Sequence, residues 1–165
     1  MNEPEETTQV HIDPYERLWM ILGAIILVGF LLVVGVTAVA RGFVVPSPVA
    51  RVDPNTVANS LPFSEPGLRE LAPGKYEAFI LARTFVFTPR EITVPVGSTV
   101  TFYVTSADVQ HGFDLQGTNV NMQIVPGQVS KLTTRFDKPG EYDYICHEYC
   151  GSGHAAMFGK VIVTP

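Results

Sequence analysis

The chain has 165 residues, of which 46% are hydrophobic and 16% charged, and its formal net charge is −5 at pH 7. Residues 1–40 carry five acids and one base, so residues 41–165 have a net charge of only −1. A nearly neutral domain without a basic stripe argues against nucleic-acid binding. The length allows one ordinary domain and one additional segment.

The first predicted element is a membrane-spanning helix at residues 18–40, after a polar tail at residues 1–17. The span contains no charged side chain. As a helix it would extend about 35 Å, enough to cross a hydrocarbon core of about 30 Å. The alternative is a cleaved signal peptide, but its apolar core would be only about 7–15 residues long behind a positive leader. Because this run is longer and its leader acidic, we expect a retained anchor.

Two further regions follow the anchor. Residues 41–74 are rich in proline, which predicts an extended connector and not a helix. From residue 75 onward, short β-forming segments alternate with proline and glycine turn signals. This pattern predicts an antiparallel β-sandwich or barrel at residues 75–165. The expected strands lie at residues 78–82, 91–94, 99–105, 120–125, 129–136, 142–146 and 160–163.

The last two predicted strands flank a loop that is rich in soft metal donors. Cys146 and Cys150 are the only cysteines of the chain, and His154 and Met157 follow them. A further histidine, His111, lies upstream in the run Asp-Val-Gln-His-Gly-Phe. Two thiolates, two imidazoles and a thioether form a donor set that selects copper over hard cations.

Three interpretations compete for the two cysteines. A disulfide is common in exported domains, but so small a ring gains only roughly 2 kcal/mol and gives His154 and Met157 no role. A zinc site of the Cys₂His₂ type leaves the thioether without a function. Copper uses every donor, and the second thiolate allows two copper ions to be bridged. The residues alone favour copper and leave the other two open.

At these residues the chain resembles cytochrome c oxidase subunit II, through His111 and the run Cys-His-Glu-Tyr-Cys-Gly-Ser-Gly-His-Ala-Ala-Met at residues 146–157. The resemblance implies a mainly β, cupredoxin-like Greek-key sandwich with one N-terminal transmembrane helix, as in compact B-family oxidases. It also implies a binuclear centre, CuA, with two copper ions. By resemblance the ligands are the side chains of His111, Cys146, Cys150, His154 and Met157 and the main-chain carbonyl of Glu148.

The resemblance further implies the electron-entry subunit of a haem-copper oxidase. CuA would accept electrons from cytochrome c and relay them to haem in subunit I, where oxygen is reduced to water. Because cytochrome c lies outside the cytoplasm in bacteria, we expect the copper domain on the outer side of a prokaryotic cell membrane. The arginines near the span weakly favour the opposite orientation. The Glu148 carboxylate is also a candidate magnesium ligand at the subunit interface, as in A-family members.

The electron-entry surface is expected to differ from that of A-family oxidases. The region that is rich in tryptophan in those proteins contains phenylalanine and no tryptophan here. Together with the nearly neutral domain, this predicts a mainly apolar docking patch for cytochrome c at Phe85, Phe87, Tyr149 and Phe158. His147, between the ligands, is expected to point outward.

Three alternative functions share parts of this pattern. The chain could be the CuA subunit of a nitric oxide reductase or another respiratory reductase. A membrane-tethered copper-delivery protein of the Sco group also has Cys-x-x-x-Cys, but on a thioredoxin-like fold with its histidine far downstream. A quinol oxidase subunit is disfavoured because such subunits lack the copper ligands.

Overall fold

One helix, α1, runs from Pro14 to Ala40 in the computed structural model, which describes residues 12–42 and 48–165. Most of the predicted polar tail lies outside the described residues. Asp13 caps the helix by accepting a hydrogen bond from the Tyr15 N–H at 2.8 Å, and proline suits the first helical position. The helix therefore begins four residues before the predicted span. Its 27 residues are apolar enough, and long enough at about 40 Å, to cross a membrane.

The β domain forms a compact unit of its own, with two sheets. The strands of the described residues are β1 Pro48–Arg51, β2 Gly67–Ala72, β3 Lys75–Arg83, β4 Val86–Thr88, β5 Glu91–Pro95, β6 Thr99–Ser106, β7 His111–Leu115, β8 Asn121–Ile124, β9 Gln128–Arg135, β10 Gly140–Ile145 and β11 Phe158–Thr164. The first sheet has the order β1-β9-β6-β3-β2, with β4 added on β3, and the second has the order β5-β11-β10-β7-β8.

Both sheets are mixed, which corrects the purely antiparallel arrangement expected from the sequence. β3 runs parallel to β6, with Ala78 opposite Phe102, and β11 runs parallel to β5. Residue alternation along a strand reports which face is buried and not the direction of the neighbouring strand. The sequence pattern therefore predicted β3, β5, β6 and β8 to β11 but not these two parallel pairs.

The main core lies between the two sheets and draws side chains from both. The run Ala78–Ala82 of β3 is buried throughout. Its alternate residues, Ala78, Ile80 and Ala82, join this core, whereas Phe79 and Leu81 join a second cluster. Because β3 is covered on both faces, its apolar residues are continuous and do not alternate.

The second cluster explains the apolar residues of the proline-rich region. Val57 and Phe63 are buried there against β3, and the Phe63 ring meets the Phe79 ring edge-to-face with centroids 5.9 Å apart. The same region contributes the edge strands β1 and β2 to the first sheet. Residues 48–72 thus supply strands and core side chains to the β domain, in the region that the sequence predicted to be an extended connector.

Candidate metal centre

The loop between β10 and β11 brings four candidate donors to one place. Cys146 directly follows the last residue of β10, and its N–H donates to the Met157 carbonyl at 3.1 Å, which closes the base of the loop. A short 3₁₀ turn, His154–Ala156, then precedes β11. Cys146 and Met157 are buried, and Cys150 and His154 are partly exposed.

The fifth donor, His111, is the first residue of β7 and is fully buried. Its Nε2 lies 2.8 Å from a carboxylate oxygen of Asp108, and its Nδ1 lies 3.9 Å from the Sγ of Cys146. A carboxylate accepts hydrogen bonds, so Nε2 carries the proton and Nδ1 presents a lone pair. A histidine held in this way is oriented to bind a metal through Nδ1.

The donor atoms approach one another without forming a disulfide. The two Sγ atoms of Cys146 and Cys150 are 3.9 Å apart, whereas a disulfide bond measures about 2.05 Å. The Cys150 Sγ lies 3.7 Å from both His154 Nδ1 and Met157 Sδ, and the Glu148 main-chain oxygen lies 3.2 Å from the Cys146 Sγ. Two donors that bind one ion tetrahedrally at about 2.3 Å lie roughly 3.7 Å apart, so the spacing fits shared metal ions.

The chemistry of the donors matches copper. The thiols and the His111 imidazole form a three-residue cluster that could hold a metal ion. Each cysteine has a different imidazole beside it, His111 for Cys146 and His154 for Cys150. Soft sulfur and imidazole donors suit copper, and two thiolates with one imidazole each suit two ions. The six residues expected as ligands therefore lie together, and their roles as ligands stay a prediction.

The thiol of Cys150 affects how a metal binds. Burial, and then the neighbouring thiol of Cys146, raise the pKa of Cys150 to about 11. In the metal-free chain this group is therefore a thiol at neutral pH. Because the thiolate is the ligand, metal binding displaces a proton and becomes tighter as the pH rises.

Asp108 is a functional residue that the sequence reasoning did not single out. One carboxylate oxygen accepts hydrogen bonds from His111 and from the Val109 N–H at 2.6 Å. The other accepts from the Thr84 N–H at 2.6 Å and the Thr84 hydroxyl at 3.0 Å. Partial burial alone would raise the pKa of Asp108, but the hydrogen bonds from His111, Thr84 and Val109 outweigh burial and lower the pKa to about 2.

The lowered pKa of Asp108 determines the pH range in which these hydrogen bonds add stability. An unperturbed aspartate has a pKa of about 3.9. The stabilisation is therefore fully present above that pH and is lost as the pH falls toward 2.

The only sequence signal for Asp108 was its position three residues before His111.

The ligand loop packs on the half-buried ring of Phe85. A Cβ atom built on Gly153 would lie 2.4 Å from this ring, and one built on Gly151 would lie 2.9 Å from it. Gly151 also has a φ of +131°, which side chains of L-residues rarely adopt. Both positions therefore require glycine, and the ring limits the path of the loop between Cys150 and His154.

Phe87 does not belong to an exposed docking patch, contrary to the sequence-based expectation. Its side chain is 0% exposed, and it meets the rings of Phe113 and Tyr144 edge-to-face with centroids 5.5 Å apart. The alternation along β4 turns Phe87 into the main core and leaves Thr88 exposed. The predicted surface patch thus loses one of its four residues.

The remaining members of the predicted patch do reach the surface. Tyr149 is 79% exposed and Phe158 is 57% exposed, and Phe85 is half-buried. The Tyr149 ring also lies beside the His154 ring, with centroids 5.9 Å apart. An exposed aromatic side chain therefore stands directly beside a candidate metal ligand.

His147 is exposed, as the sequence predicted. Its ring lies against β7, since a Cβ atom built on Gly112 would be only 2.6 Å from it. Its Nδ1 is 3.7 Å from the carboxylate of Glu148, whose side chain is 41% exposed. His147 thus keeps the exposed position that the sequence predicted, while its ring packs on the strand that carries His111.

Comparison with known proteins gives consistent matches. The family model for the periplasmic domain of cytochrome c oxidase subunit II matches residues 76–164. Cytochrome c oxidase subunit 2 of Thermus thermophilus is 37% identical over 153 residues, which cover 90% of this chain and 91% of that protein.

Two solved structures are similar as well. A chain in a cryo-EM structure of a heme-copper terminal oxidase dimer is 37% identical with a TM-score of 0.73, and the match covers 90% of this chain and 99% of that one. The periplasmic domain of subunit II of cytochrome oxidase from Bradyrhizobium japonicum is 24% identical with a TM-score of 0.50, covering 53% of this chain and 83% of that one. The second match indicates a shared fold.

Proposed function

The chain belongs to the cytochrome c oxidase subunit II family, and we propose that it is the subunit through which electrons enter its oxidase. As a family member it is a subunit of a haem-copper terminal oxidase, an oxidoreductase complex, and subunit I is its partner. The observation that carries the proposal is the meeting of five soft donor side chains and one carbonyl oxygen beside β7, β10 and β11.

The proposed centre is a copper pair of the CuA type. Such a pair would supply one-electron chemistry at this site. The residues that would hold it are His111, Cys146, Cys150, His154 and Met157 through their side chains and Glu148 through its main-chain carbonyl.

The fold holds these donors in fixed positions. His111 is buried in β7 with its Nε2 bonded to Asp108, and the ligand loop is closed by the bond from the Cys146 N–H to the Met157 carbonyl. Phe85 packs against the glycines of the same loop. Donors that cannot move keep the reorganisation on electron transfer small, which suits a relay.

We propose that the donor is cytochrome c and that the copper domain faces the outer side of the membrane. The matched family model describes a periplasmic domain, which supports this orientation. In right-side-out vesicles that contain the oxidase, reduced cytochrome c added outside should be oxidised. Cytochrome c cannot cross the membrane, so it reaches only a copper domain that faces outward. Oxidation that requires broken vesicles, or activity with a quinol and none with cytochrome c, would contradict the proposal.

The exposed aromatic side chain of Tyr149 should contribute to docking of cytochrome c. Replacing Tyr149 with alanine is expected to raise the KM for cytochrome c by about 3–10-fold, as for an interface side chain whose truncation costs about 1 kcal/mol. The copper spectrum should stay unchanged, because the Tyr149 side chain is not a proposed ligand. Leu71→Ala is a matched control, since Leu71 is 65% exposed on β2, away from the ligand loop.

The docking proposal also predicts how turnover depends on salt. The domain is nearly neutral, so turnover with cytochrome c should change little with ionic strength. Long-range charge steering would produce a steep fall. A steep fall, or a Tyr149→Ala variant with an unchanged KM, would refute docking on an apolar patch.

Glu148 is proposed to bind two metals. Its main-chain carbonyl would bind copper, and its carboxylate would bind magnesium at the interface with subunit I. The carboxylate is exposed and therefore accessible to a partner subunit. Glu148→Gln should lower the magnesium content of the intact complex and leave its copper content unchanged, because the main chain is kept. Metal analysis that finds no magnesium in the wild-type complex would remove this part of the proposal.

A further inference from the structure

We propose that the turn between β3 and β4, formed by Thr84 and Phe85, is a brace that positions both halves of the metal centre. Thr84 acts through Asp108 on His111, and Phe85 acts on the ligand loop. This inference rests on the proposed copper site. Neither residue is a proposed ligand, so both are positioning residues.

The first arm of the brace is a chain of hydrogen bonds. Thr84 donates both its N–H and its hydroxyl to one oxygen of the Asp108 carboxylate, at 2.6 Å and 3.0 Å. The other oxygen lies 2.8 Å from His111 Nε2 and also accepts from the Val109 N–H. Because each oxygen has its own donors, the carboxylate cannot rotate without breaking bonds at both ends.

This chain decides which way the His111 ring faces. His111 is fully buried, and its Nε2 is paired with the Asp108 carboxylate. While that bond is made, Nδ1 faces the Cys146 Sγ at 3.9 Å. A buried imidazole without this partner would be free to turn its ring, and the donor atom would leave the cluster.

The second arm is steric. The Phe85 ring lies so close to Gly151 and Gly153 that a Cβ atom on either residue would come within 2.9 Å or less of it. These glycines form the segment between Cys150 and His154. Since Thr84 and Phe85 are consecutive, one two-residue turn supports the upstream ligand by hydrogen bonds and the downstream ligands by packing.

The first arm is tested with the full-length chain in detergent, titrated with copper. Asp108→Ala should lower the copper affinity by about 10–100-fold, the usual effect of losing an outer-shell partner of a metal-binding histidine, and should shift the visible absorption of the bound metal. Asp114→Ala is the matched control. Asp114 lies on the same strand as His111, but its carboxylate accepts a hydrogen bond from Asn121 at 3.4 Å. The copper affinity and the visible absorption of Asp114→Ala should therefore match those of the wild type.

The milder variant Thr84→Val keeps the N–H bond and removes the hydroxyl bond. Its affinity for copper should lie between those of Asp108→Ala and the wild type. If Asp108→Ala folds poorly, Thr84→Val carries the test alone. The first arm is overturned if Thr84→Val or Asp108→Ala binds copper with the affinity and absorption of Asp114→Ala.

The second arm is tested by Phe85→Leu, which should lower the copper affinity at least about fivefold and broaden the EPR lines of the bound metal as the loop gains conformations. Phe63→Leu is the control, because Phe63 packs in the second cluster and not on the ligand loop. It should reduce the thermal stability of the metal-free chain and leave the affinity within about twofold. Equal affinities for the two variants would overturn the second arm.

A metal-free measurement separates this inference from the proposed function. The Thr84 amide should exchange slowly with solvent in the metal-free wild type, because Asp108 accepts its hydrogen, and at least about tenfold faster in Asp108→Ala. A wild-type chain that binds no copper would contradict the proposed function. Fast exchange in the wild type would contradict the brace even if copper binds.

Discussion

Replacing Cys150 with serine is expected to leave the chain with at most one copper ion and to lower cytochrome c turnover. The loss of turnover should exceed the roughly 10–100-fold cost of losing an outer-shell partner, since a proposed ligand of both ions would be removed. The Cys150 Sγ lies 3.9 Å from the Cys146 Sγ and 3.7 Å from both His154 Nδ1 and Met157 Sδ. A serine hydroxyl is a hard donor and cannot replace a bridging thiolate.

The measurement is copper content together with oxygen uptake by the assembled oxidase. Ser152→Ala is the matched control, because Ser152 is exposed in the same loop and is not a proposed ligand. It should keep both the copper and the turnover of the wild type. A Cys150→Ser complex that retains two copper ions and normal turnover would contradict the bridging role of Cys150.

Replacing Phe87 with alanine is expected to lower the free energy of unfolding of the β domain by about 3–5 kcal/mol, as for a buried phenylalanine in a packed core. Phe87 is 0% exposed and packs edge-to-face on Phe113 and Tyr144. The truncation would leave a cavity between the two sheets. Denaturant unfolding of the metal-free chain in detergent measures the change.

Phe158→Ala is the control for this prediction, because the same side chain is 57% exposed on β11. Its free energy of unfolding should stay within about 0.5 kcal/mol of the wild type. If Phe87→Ala and Phe158→Ala lower the free energy of unfolding by the same amount, Phe87 does not lie in the core. Its side chain would then be available for the docking patch.

The fold was predictable where its signals are local. β5 and β9 alternate between buried and exposed residues, so their sequences show the period of two. The parallel partners of β3 and β5 were not predictable, because they depend on which distant strand lies alongside. β7 was missed as well, since Gly112 and Asp114 weaken its resemblance to a strand.

In the candidate site, too, the features with local sequence signals were predictable and those that depend on distant residues were not. The donors of residues 146–157 are close in sequence, so their spacing predicted the cluster directly. Asp108 lies only three residues before His111, but Thr84, which binds the Asp108 carboxylate, lies 24 residues before Asp108 in sequence. The hydrogen bonds from Thr84 through Asp108 to His111 were therefore not predictable. Phe85 and Phe87 were assigned to one surface although they differ in burial, since the inward face of a three-residue strand such as β4 cannot be read from its sequence.

The copper stoichiometry and the EPR spectrum of the oxidised full-length chain test the binuclear centre most directly. We predict two copper ions per chain and a purple centre whose single unpaired electron is shared by both nuclei, giving seven hyperfine lines. In the proposed centre the thiolates of Cys146 and Cys150 would hold both ions, and the two Sγ atoms lie 3.9 Å apart. A single blue copper with four hyperfine lines, or a colourless product, would contradict the proposed centre.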